Sequence, residues 1–344
     1  MVLHHLLTGS YTNSSLYLLA FDALAQTLTL NTTIPGFGLH QFVSANAARD
    51  VIYATTMSEP PRLFSWSRTP DNKITHINTV NIRGSGARIN KIDEDGGVGE
   101  TVQEMFYVPS EEMERVDRTR KAVLYGAHGF DVNGNGKGFV PHLAWDAIFM
   151  YDIIKNGTAK LLSVNLSPET GDGPRNVYPS KDGKWLYVIN EHSQYLDVYE
   201  INETNLKHRQ RASAIPNQYR GKYTYRSNAV QLSRDGTTLF TSTRSWNNTQ
   251  ANGWVAAFAL DAQGKLASTD ALTYYEAPLS LSSAGGLRVA HWQEEGVSDY
   301  MYLSDTQEGW MYVLSWVKET AKLEEMARLR YPDGAAPYEA VWLD

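Results

Sequence analysis

Short apolar runs separated by turn residues recur along the whole chain and constrain its fold more than any other feature. Each run is about four to seven residues long, is rich in Val, Tyr, Phe, Leu and Trp, and is followed by Gly, Asp or Asn. Runs of this length and composition predict β-strands. Long segments with helical periodicity are scarce, so the sequence predicts an all-β protein.

The runs fall into two classes that follow one another along the chain. The members of one class are VIYATT, MFYVPS, KWLYVIN, TTLFTST and DYMYLSD. The members of the other are LYLLAFD, RLFSWSR, AIFMYDI, YLDVYEI, GWVAAFAL and GWMYVLSW. The hairpin turns NGNGKG, SKDGKW and SRDGTT are spaced by roughly 50 residues, a period that is typical of propeller blades. Four-stranded units stacked around an axis bury their apolar faces against one another, and about seven such units fit in the chain.

Both ends of the sequence favour a seven-bladed β-propeller closed into a ring. The final segment YEAVWLD is typical of an innermost strand, and the first segment LHHLLTGS lacks an inner strand ahead of it. Pairing of the N- and C-terminal strands would complete one blade and remove free sheet edges. We therefore expect a single propeller domain over residues 1–344, with an insertion and an abbreviated third blade around residues 84–121. A pair of β-sandwiches is the alternative fold, which the long period disfavours.

Composition limits the classes of partner. The chain has 344 residues, and 31 basic against 38 acidic residues give it a net charge of −7, which disfavours a broad nucleic-acid surface. No apolar run approaches the length of a membrane span. The absence of cysteine excludes disulfides and thiol catalysis. We expect a cytoplasmic protein without nucleic-acid or membrane partners, and the sequence leaves a homo-oligomer open.

Six Asn-x-Ser/Thr tripeptides support a different localisation. Such tripeptides accept glycans in secreted proteins, although several arise by chance in a chain of this length. Secretion, with a leader that the sequence does not contain, is therefore the alternative to a cytoplasmic location. The tripeptides begin at Asn13, Asn31, Asn156, Asn165, Asn202 and Asn247.

Charged side chains occupy equivalent positions in consecutive units. In PRNVYPSKDGKWLYVINE, Arg175 opens one strand and Glu191 closes the next. The start of one strand lies beside the end of its antiparallel partner, so these two residues should be neighbours. In the following unit, Arg226 and Arg244 hold the same two places. Any one such pair is more often a surface ion pair, but the repetition predicts a ligand pocket at one mouth of the channel.

Histidine and tryptophan add further candidates. In the preceding unit, His128 takes the opening position and His142 lies near the closing one. His4 and Trp310 are also candidates for substrate contact, although each is at least as typical of a packed structural side chain. The run DVNGNG matches the first half of a calcium loop, but His142 stands where the bidentate glutamate is required. We therefore expect no metal site.

Several of these segments resemble one known family. The runs HHLLTGSYT, GPRNVYPSKDGKWLYVINE, YRSNAVQLSRDGTTLFTSTR, DTQEGWMYVLSW and YEAVWLD resemble the fungal 3-carboxy-cis,cis-muconate cyclases. Those enzymes are seven-bladed propellers related to the 6-phosphogluconolactonase-like lactonases. The resemblance runs nearly from end to end and fades between about residues 84 and 121. It implies an active site formed by His128, Arg175, Glu191 and Arg244, and it implies no cofactor.

The resemblance also implies a reaction. It is the cycloisomerisation of 3-carboxy-cis,cis-muconate or a similar polycarboxylate to a muconolactone, an intramolecular lyase activity of aromatic degradation. Arg175 and Arg244 would clamp carboxylates bidentately. The acid/base should titrate near neutrality, which suits His128, and Glu191 would orient it or, with a raised pKa, share the proton transfer. Contacts to substrate would be added by Arg226, His4, His142 and Trp310.

Two other functions remain compatible with the same sequence. One is hydrolysis of a sugar-type lactone, as in the related 6-phosphogluconolactonases, with the same basic mouth. The other is a non-catalytic propeller, secreted or not, that presents loops to protein or glycan partners. Propellers host many activities, so the fold does not choose among these functions.

Overall fold

A computed structural model describes residues 3–56, 60–82, 86–107, 126–246, 251–281 and 286–344. These residues form six four-stranded antiparallel sheets and one two-stranded sheet, so the prediction of an all-β propeller is confirmed. None of the helices in these residues is long and apolar enough to span a membrane. The chain divides into two compact units: unit 1 is Met1–Gly84, Asn90–Val102 and Ser283–Asp344, and unit 2 is Ser85–Ile89 and Gln103–Ser282.

Unit 1 begins with strands of two sheets, whose bounds are β1 (Leu3–Thr8), β2 (Ser15–Asp22), β3 (Thr27–Pro35), β4 (His40–Ala45), β5 (Val51–Thr56), β6 (Arg62–Arg68) and β7 (Ile74–Asn81). Next in the chain come β8 (Gly86–Ile92) and β9 (Val98–Phe106), which form the two-stranded sheet; residues 86–89 and 103–106 of these strands belong to unit 2. Strands β4 to β7 form one complete sheet in chain order.

Unit 2 contains three complete sheets, each formed by four consecutive strands. The first consists of β10 (Asp131–Val132), β11 (Lys137–His142), β12 (Ala147–Ile153) and β13 (Ala159–Leu166). The second consists of β14 (Pro174–Pro179), β15 (Trp185–Asn190), β16 (Tyr195–Ile201) and β17 (Leu206–Ser213). The third consists of β18 (Tyr225–Leu232), β19 (Thr238–Ser245), β20 (Trp254–Ala259) and β21 (Thr273–Glu276), and a 3-10 turn at Asn217–Tyr219 precedes it.

The C-terminal part of unit 1 supplies one further sheet and the last strand. The bounds are β22 (Leu287–Val289), β23 (Asp299–Asp305), β24 (Trp310–Val317), β25 (Lys322–Arg330) and β26 (Ala340–Trp342), with 3-10 turns at Lys318–Thr320 and Pro332–Gly334. Strand β26 joins β1, β2 and β3 in a sheet of order β26-β1-β2-β3. The predicted pairing of the terminal strands is present, with Leu6 opposite Trp342 and Thr8 opposite Ala340.

The two classes of apolar run occupy two fixed places in the sheets. KWLYVIN, TTLFTST and DYMYLSD lie on the second strands β15, β19 and β23, and LYLLAFD, RLFSWSR and AIFMYDI lie on the third strands β2, β6 and β12. Side chains on both faces of these strands are buried, which explains their continuous rather than alternating hydrophobicity.

The prediction of seven blades is met only in part, since the described residues contain six four-stranded sheets. Beside these six, β8 and β9 form the two-stranded sheet, and most of their residues are half-buried or exposed. The run MFYVPS begins at the end of β9, and its last three residues lie outside the described part. Residues 84–85 and 108–121 of the predicted insertion, which spans residues 84–121, and the tripeptide at Asn247 also lie outside it.

Trp342 anchors the last strand and provides a test of its pairing with β1. The side chain is 2% exposed in a core cluster with Leu6 and Tyr302, and its Nε1 donates a hydrogen bond to the Arg288 carbonyl oxygen at 3.3 Å. We expect Trp342→Ala to lower the free energy of unfolding by about 3–5 kcal/mol, measured by urea denaturation. Trp145, which is 45% exposed, is the control, and its replacement should cost less than about 1 kcal/mol. Equal destabilisation by the two substitutions would contradict the packing described here.

Candidate functional site

A β-bulge sets the position of Arg175. Strands β14 and β15 pair with Pro174 opposite Asn190, and the register shifts between Pro174 and Asn176, so Arg175 lies at the bulge. Bulges redirect side chains and are common next to active sites. The chain leaves β15 at Glu191, whose N–H donates to the Gly173 carbonyl oxygen at 2.7 Å. Arg175 and Glu191 therefore lie side by side, as the hairpin geometry predicts.

Arg175, Glu191 and Arg244 form one buried ionic cluster. Arg175 Nη1 donates a hydrogen bond to Glu191 Oε2, and Arg244 Nη2 donates to Glu191 Oε1 at 3.1 Å. The three residues are 4%, 1% and 3% exposed. Each oxygen of one carboxylate thus faces a different guanidinium, an arrangement of charge-assisted hydrogen bonds that fixes both arginines.

The neighbouring hairpin supplies Arg244 and two further polar groups. Arg226 on β18 lies directly opposite Arg244 on β19, as the repeated pattern predicts. The ladder is interrupted between Ser227 and Val230, and Asn228 lies in this irregular stretch. Asn228 is fully buried, and its Oδ1 accepts a hydrogen bond from Arg244 Nη1. Arg244 is therefore held at both ends of its guanidinium, by Glu191 and by Asn228.

His128 lies ahead of the innermost strand of its sheet rather than on it. Strand β10 begins three residues later, at Asp131, and ahead of it the Ala127–His142 bridge pairs the chain with β11. The His128 N–H donates to the Pro141 carbonyl oxygen at 3.1 Å. The imidazole is close enough to the cluster for Arg175, Glu191 and Arg244 to affect its protonation.

The ionic cluster sets the protonation state of Glu191. Burial alone would raise the pKa of this carboxyl, but Arg175, Arg244 and His128 lower it to about 2. Glu191 is therefore ionised throughout the physiological range. The hypothesis of a Glu191 with a raised pKa that shares proton transfer is wrong, because two guanidiniums face the carboxylate.

The same surroundings act on His128 in the opposite sense from the expectation of a group that titrates near neutrality. Burial is the largest effect and lowers the pKa, Arg175 and Arg244 lower it further, and Glu191 partly offsets them, which leaves a pKa of about 3. The imidazole is therefore neutral at pH 7 when no ligand is bound.

His142 belongs to an aromatic cluster. It is the last residue of β11, and its Nδ1 accepts a hydrogen bond from the Trp145 N–H at 3.2 Å. Its ring lies 6.1 Å from that of Tyr107 and 5.8 Å from that of Phe149. Burial lowers its pKa to about 4. These contacts are those of a packed turn residue, so its role as a ligand contact stays a prediction.

His4 and Trp310 lie in unit 1, whereas the ionic cluster lies in unit 2. His4 Nε2 is 2.7 Å from Glu294 Oε1, and its ring stacks on Trp292 with centroids 3.4 Å apart. Trp310 begins β24 and lies beside two arginines of the adjacent outer strand, Arg328 and Arg330. Both side chains have structural partners in their own unit, and their contact with substrate stays a prediction.

The run DVNGNG forms a hairpin turn between β10 and β11. Asn133 Oδ1 accepts hydrogen bonds from the N–H groups of Asn135 and Lys137, at 3.0 and 2.9 Å. Across the described ranges, no group of three His, Asp or Glu side chains is arranged to hold a metal ion.

Two residues of the site, Asn228 and Trp246, are not identified by the sequence alone. Asn228 follows Arg226 by two residues, and Trp246 follows Arg244 by two. The guanidinium carbons of Arg226 and Arg244 lie 5.3 and 5.5 Å from the Trp246 ring centroid. A polar residue inside an inner strand was the available signal for Asn228, whereas nothing in the sequence distinguishes Trp246 from the other tryptophans.

Comparison with known proteins agrees with this architecture. The model of a family described as "Lactonase, 7-bladed beta-propeller" matches residues 5–296. The chain belongs to the lactonase β-propeller family. The family description names seven blades, and the described residues of this lactonase-family chain supply six four-stranded sheets and the two-stranded one.

Individual relatives of this lactonase-family chain are distant in sequence. Muconate cycloisomerase 1 of Cutaneotrichosporon cutaneum is 23% identical over an alignment of 369 positions, gaps included. The alignment covers 99% of this chain and 98% of that protein. Carboxy-cis,cis-muconate cyclase of Neurospora crassa is 26% identical over 200 residues, 56% of this chain and 52% of that protein. The periplasmic gluconolactonase of Pseudomonas aeruginosa has the same fold, with a TM-score of 0.82 at 16% identity over 100% of this chain and 99% of that structure.

Proposed function

We propose that this lactonase-family protein catalyses the intramolecular lactonisation of 3-carboxy-cis,cis-muconate or a closely similar polycarboxylate. The observation that carries the proposal is the buried cluster in which Glu191 holds Arg175 and Arg244 beside a neutral His128. Its support from relatives is the similarity to proteins named as a muconate cycloisomerase and a carboxy-cis,cis-muconate cyclase.

The charge of the cluster fits a substrate with several carboxylates. Arg175, Arg226 and Arg244 contribute three positive charges, and the ionised Glu191 contributes one negative charge, so the group carries a net charge of about +2. Removing this charge from water is costly unless anions approach it. Carboxylates that enter the site replace the lost hydration and are held in the fixed geometry that guanidinium forks provide.

The reaction needs positioning, charge stabilisation and one proton. A substrate carboxylate oxygen forms a C–O bond to one carbon of a double bond, and the π electrons move to the neighbouring carbon as an enolate-like anion. Arg175 and Arg244 would hold the attacking carboxylate near its target and stabilise the developing negative charge. The anionic carbon then takes up a proton, which completes a lactone whose ring atoms all come from the substrate.

His128 is the candidate proton donor. Positive charge from Arg175 and Arg244 contributes to the low pKa of the free imidazole. A bound polycarboxylate offsets that charge, so the imidazole takes up a proton from solvent as the substrate binds. The imidazolium then protonates the enolate-like carbon and returns to the neutral form.

The test is the disappearance of the conjugated ultraviolet absorbance of 3-carboxy-cis,cis-muconate in the presence of the purified protein. We expect turnover by the wild type and a loss of about a hundredfold in kcat/KM for Arg244→Lys, because lysine cannot bind Glu191 and Asn228 with one planar fork. Arg209→Lys is the matched control. Arg209 pairs with Glu200 at the surface, so this change should leave kcat/KM within about twofold.

Two results would count against the proposal. If the wild type left the muconate unchanged and opened aldonolactones, the site would be that of a lactone hydrolase. If Arg244→Lys and Arg209→Lys had equal effects, the buried cluster would not be the place of reaction.

A further inference from the structure

Arg226 differs in its hydrogen bonds from Arg175 and Arg244, the two arginines of the ionic cluster. Arg244, directly opposite on the next strand, is bound to Glu191 and Asn228. Within the described ranges no residue accepts a hydrogen bond from the Arg226 guanidinium, so Arg226 differs from Arg175 and Arg244 at its Nη groups. A half-buried guanidinium with uncommitted donors is well suited to bind a planar anion.

Two like charges on directly opposed residues of neighbouring strands repel each other. Trp246 lies where it offsets this cost for Arg226 and Arg244. Both guanidinium carbons lie within 5.5 Å of its ring centroid, inside the range of cation–π attraction. The backbone of Trp246 is fixed, since its N–H donates to the Thr224 carbonyl oxygen at 2.8 Å, just ahead of β18.

The negative charge in the cluster is already committed. Both oxygens of Glu191 accept hydrogen bonds from Arg175 and Arg244. The indole attracts the Arg226 cation but offers no acceptor for its N–H groups. An additional carboxylate of a bound ligand would satisfy those donors. The site would then have two carboxylate positions, one at the ionic cluster and one at Arg226.

We propose that Trp246 is a positioning residue that holds Arg226 as the receptor for an additional substrate carboxylate, so that this pair selects ligands with three carboxylates over those with two. The inference rests on the proposed polycarboxylate chemistry of the site. It assigns discrimination among acids to Arg226 and Trp246, and catalysis to the ionic cluster and His128.

The test is calorimetric binding of two saturated acids that differ by one carboxylate, propane-1,2,3-tricarboxylate and pentanedioate. Neither acid has a double bond to react, so the result does not depend on lactonisation. We expect the wild type to bind the tricarboxylate about tenfold more tightly. Arg226→Met and Trp246→Leu should each remove most of this preference, because each should weaken binding of the tricarboxylate by a much larger factor than binding of pentanedioate.

The double variant decides whether Trp246 acts through Arg226. In the Arg226→Met background, Trp246→Leu should weaken tricarboxylate binding by less than about twofold, because the residue that it positions is absent. Trp246→Phe keeps an aromatic ring and should restore affinity to within about threefold of the wild type. If Trp246→Leu does not fold, Trp246→Phe replaces it in the cycle, and its loss of affinity should be larger in the wild-type background than in the Arg226→Met background.

Several results would overturn the inference. The wild type could bind neither acid, or bind both with equal affinity. The losses of tricarboxylate affinity caused by Arg226→Met and Trp246→Leu could be additive in the double variant. Either single substitution could weaken binding of both acids by the same factor. A wild type that prefers the tricarboxylate but does not lactonise 3-carboxy-cis,cis-muconate would overturn the proposed function alone. Thermal unfolding midpoints of all variants should lie within a few degrees of the wild type, which separates positioning from general damage to the fold.

Discussion

Glu191→Gln is expected to lower kcat for lactonisation by roughly a thousandfold without raising KM. The carboxylate fixes Arg175 and Arg244 in one geometry, and its charge supports protonation of His128. Without that charge the arginines lose their common anchor, and a smaller fraction of the imidazole is protonated and able to donate. Substrate binding should not weaken, since the net charge of the ionic cluster together with Arg226 rises from about +2 to about +3.

The same substitution should destabilise the fold. Removing one partner of a buried ionic cluster leaves uncompensated charge, and the expected loss is about 3 kcal/mol in the free energy of unfolding at pH 7. Glu191→Asp keeps the charge with a shorter reach, so it serves as the control and should lose less stability and less kcat. A strongly raised KM with an unchanged kcat in Glu191→Gln would contradict this role.

The pH dependence of stability gives an independent measure of this ionic cluster. The pKa of Glu191 is lowered from its ordinary value of 4.5 to about 2, so the stabilisation is complete above about pH 4.5 and is lost as the pH falls towards 2. The wild type should therefore lose about 3 kcal/mol more than Glu191→Gln across that window in urea titrations. Parallel losses in the two proteins would show that Glu191 is not held by the arginines.

His128→Ala should reduce kcat by about a thousandfold with little change in KM, because it removes the proton donor and leaves the carboxylate-binding arginines in place. His142→Ala is the control of the same residue type. Since His142 packs against Tyr107 and Phe149 in an aromatic cluster, that change should lower stability rather than kcat. A larger loss of kcat in His142→Ala than in His128→Ala would reverse the assignment.

The pH profile of the wild type distinguishes this proton donor from an ordinary histidine. The free imidazole has a pKa of about 3, so the reactive complex must take up a proton when substrate binds. Between about pH 5.5 and 8, kcat/KM should fall by about tenfold per pH unit, while kcat stays level until the raised pKa of the complex is reached. Calorimetry in buffers of different ionisation enthalpy should detect the proton uptake. A plateau of kcat/KM that ends near the ordinary histidine pKa of about 6.5 would contradict the low pKa of the free His128 imidazole.

The positions of the charged side chains follow from local rules that act on the sequence. The recurring apolar runs determine the strands, and antiparallel hairpin geometry places the start of one strand beside the end of the next. The proximity of Arg175 to Glu191 and of Arg226 to Arg244 is therefore predictable from the residues alone. The lactonase-type propeller was likewise indicated by the period of the turns and by the resemblance of its motifs.

Other features depend on the whole surroundings of a residue and were decided by the tertiary structure. A ladder irregularity cannot be read from a strand pattern, yet such irregularities set the positions of Arg175 and Asn228. The low pKa values of Glu191 and His128 were not predictable from the sequence, because desolvation and neighbouring charge act together and depend on residues that are distant in sequence. The sequence by itself determined the strands and the strand ends at which the charges lie. Only the packing of the sheets decided which charges pair, which remain available to a ligand, and which side chain can carry a proton.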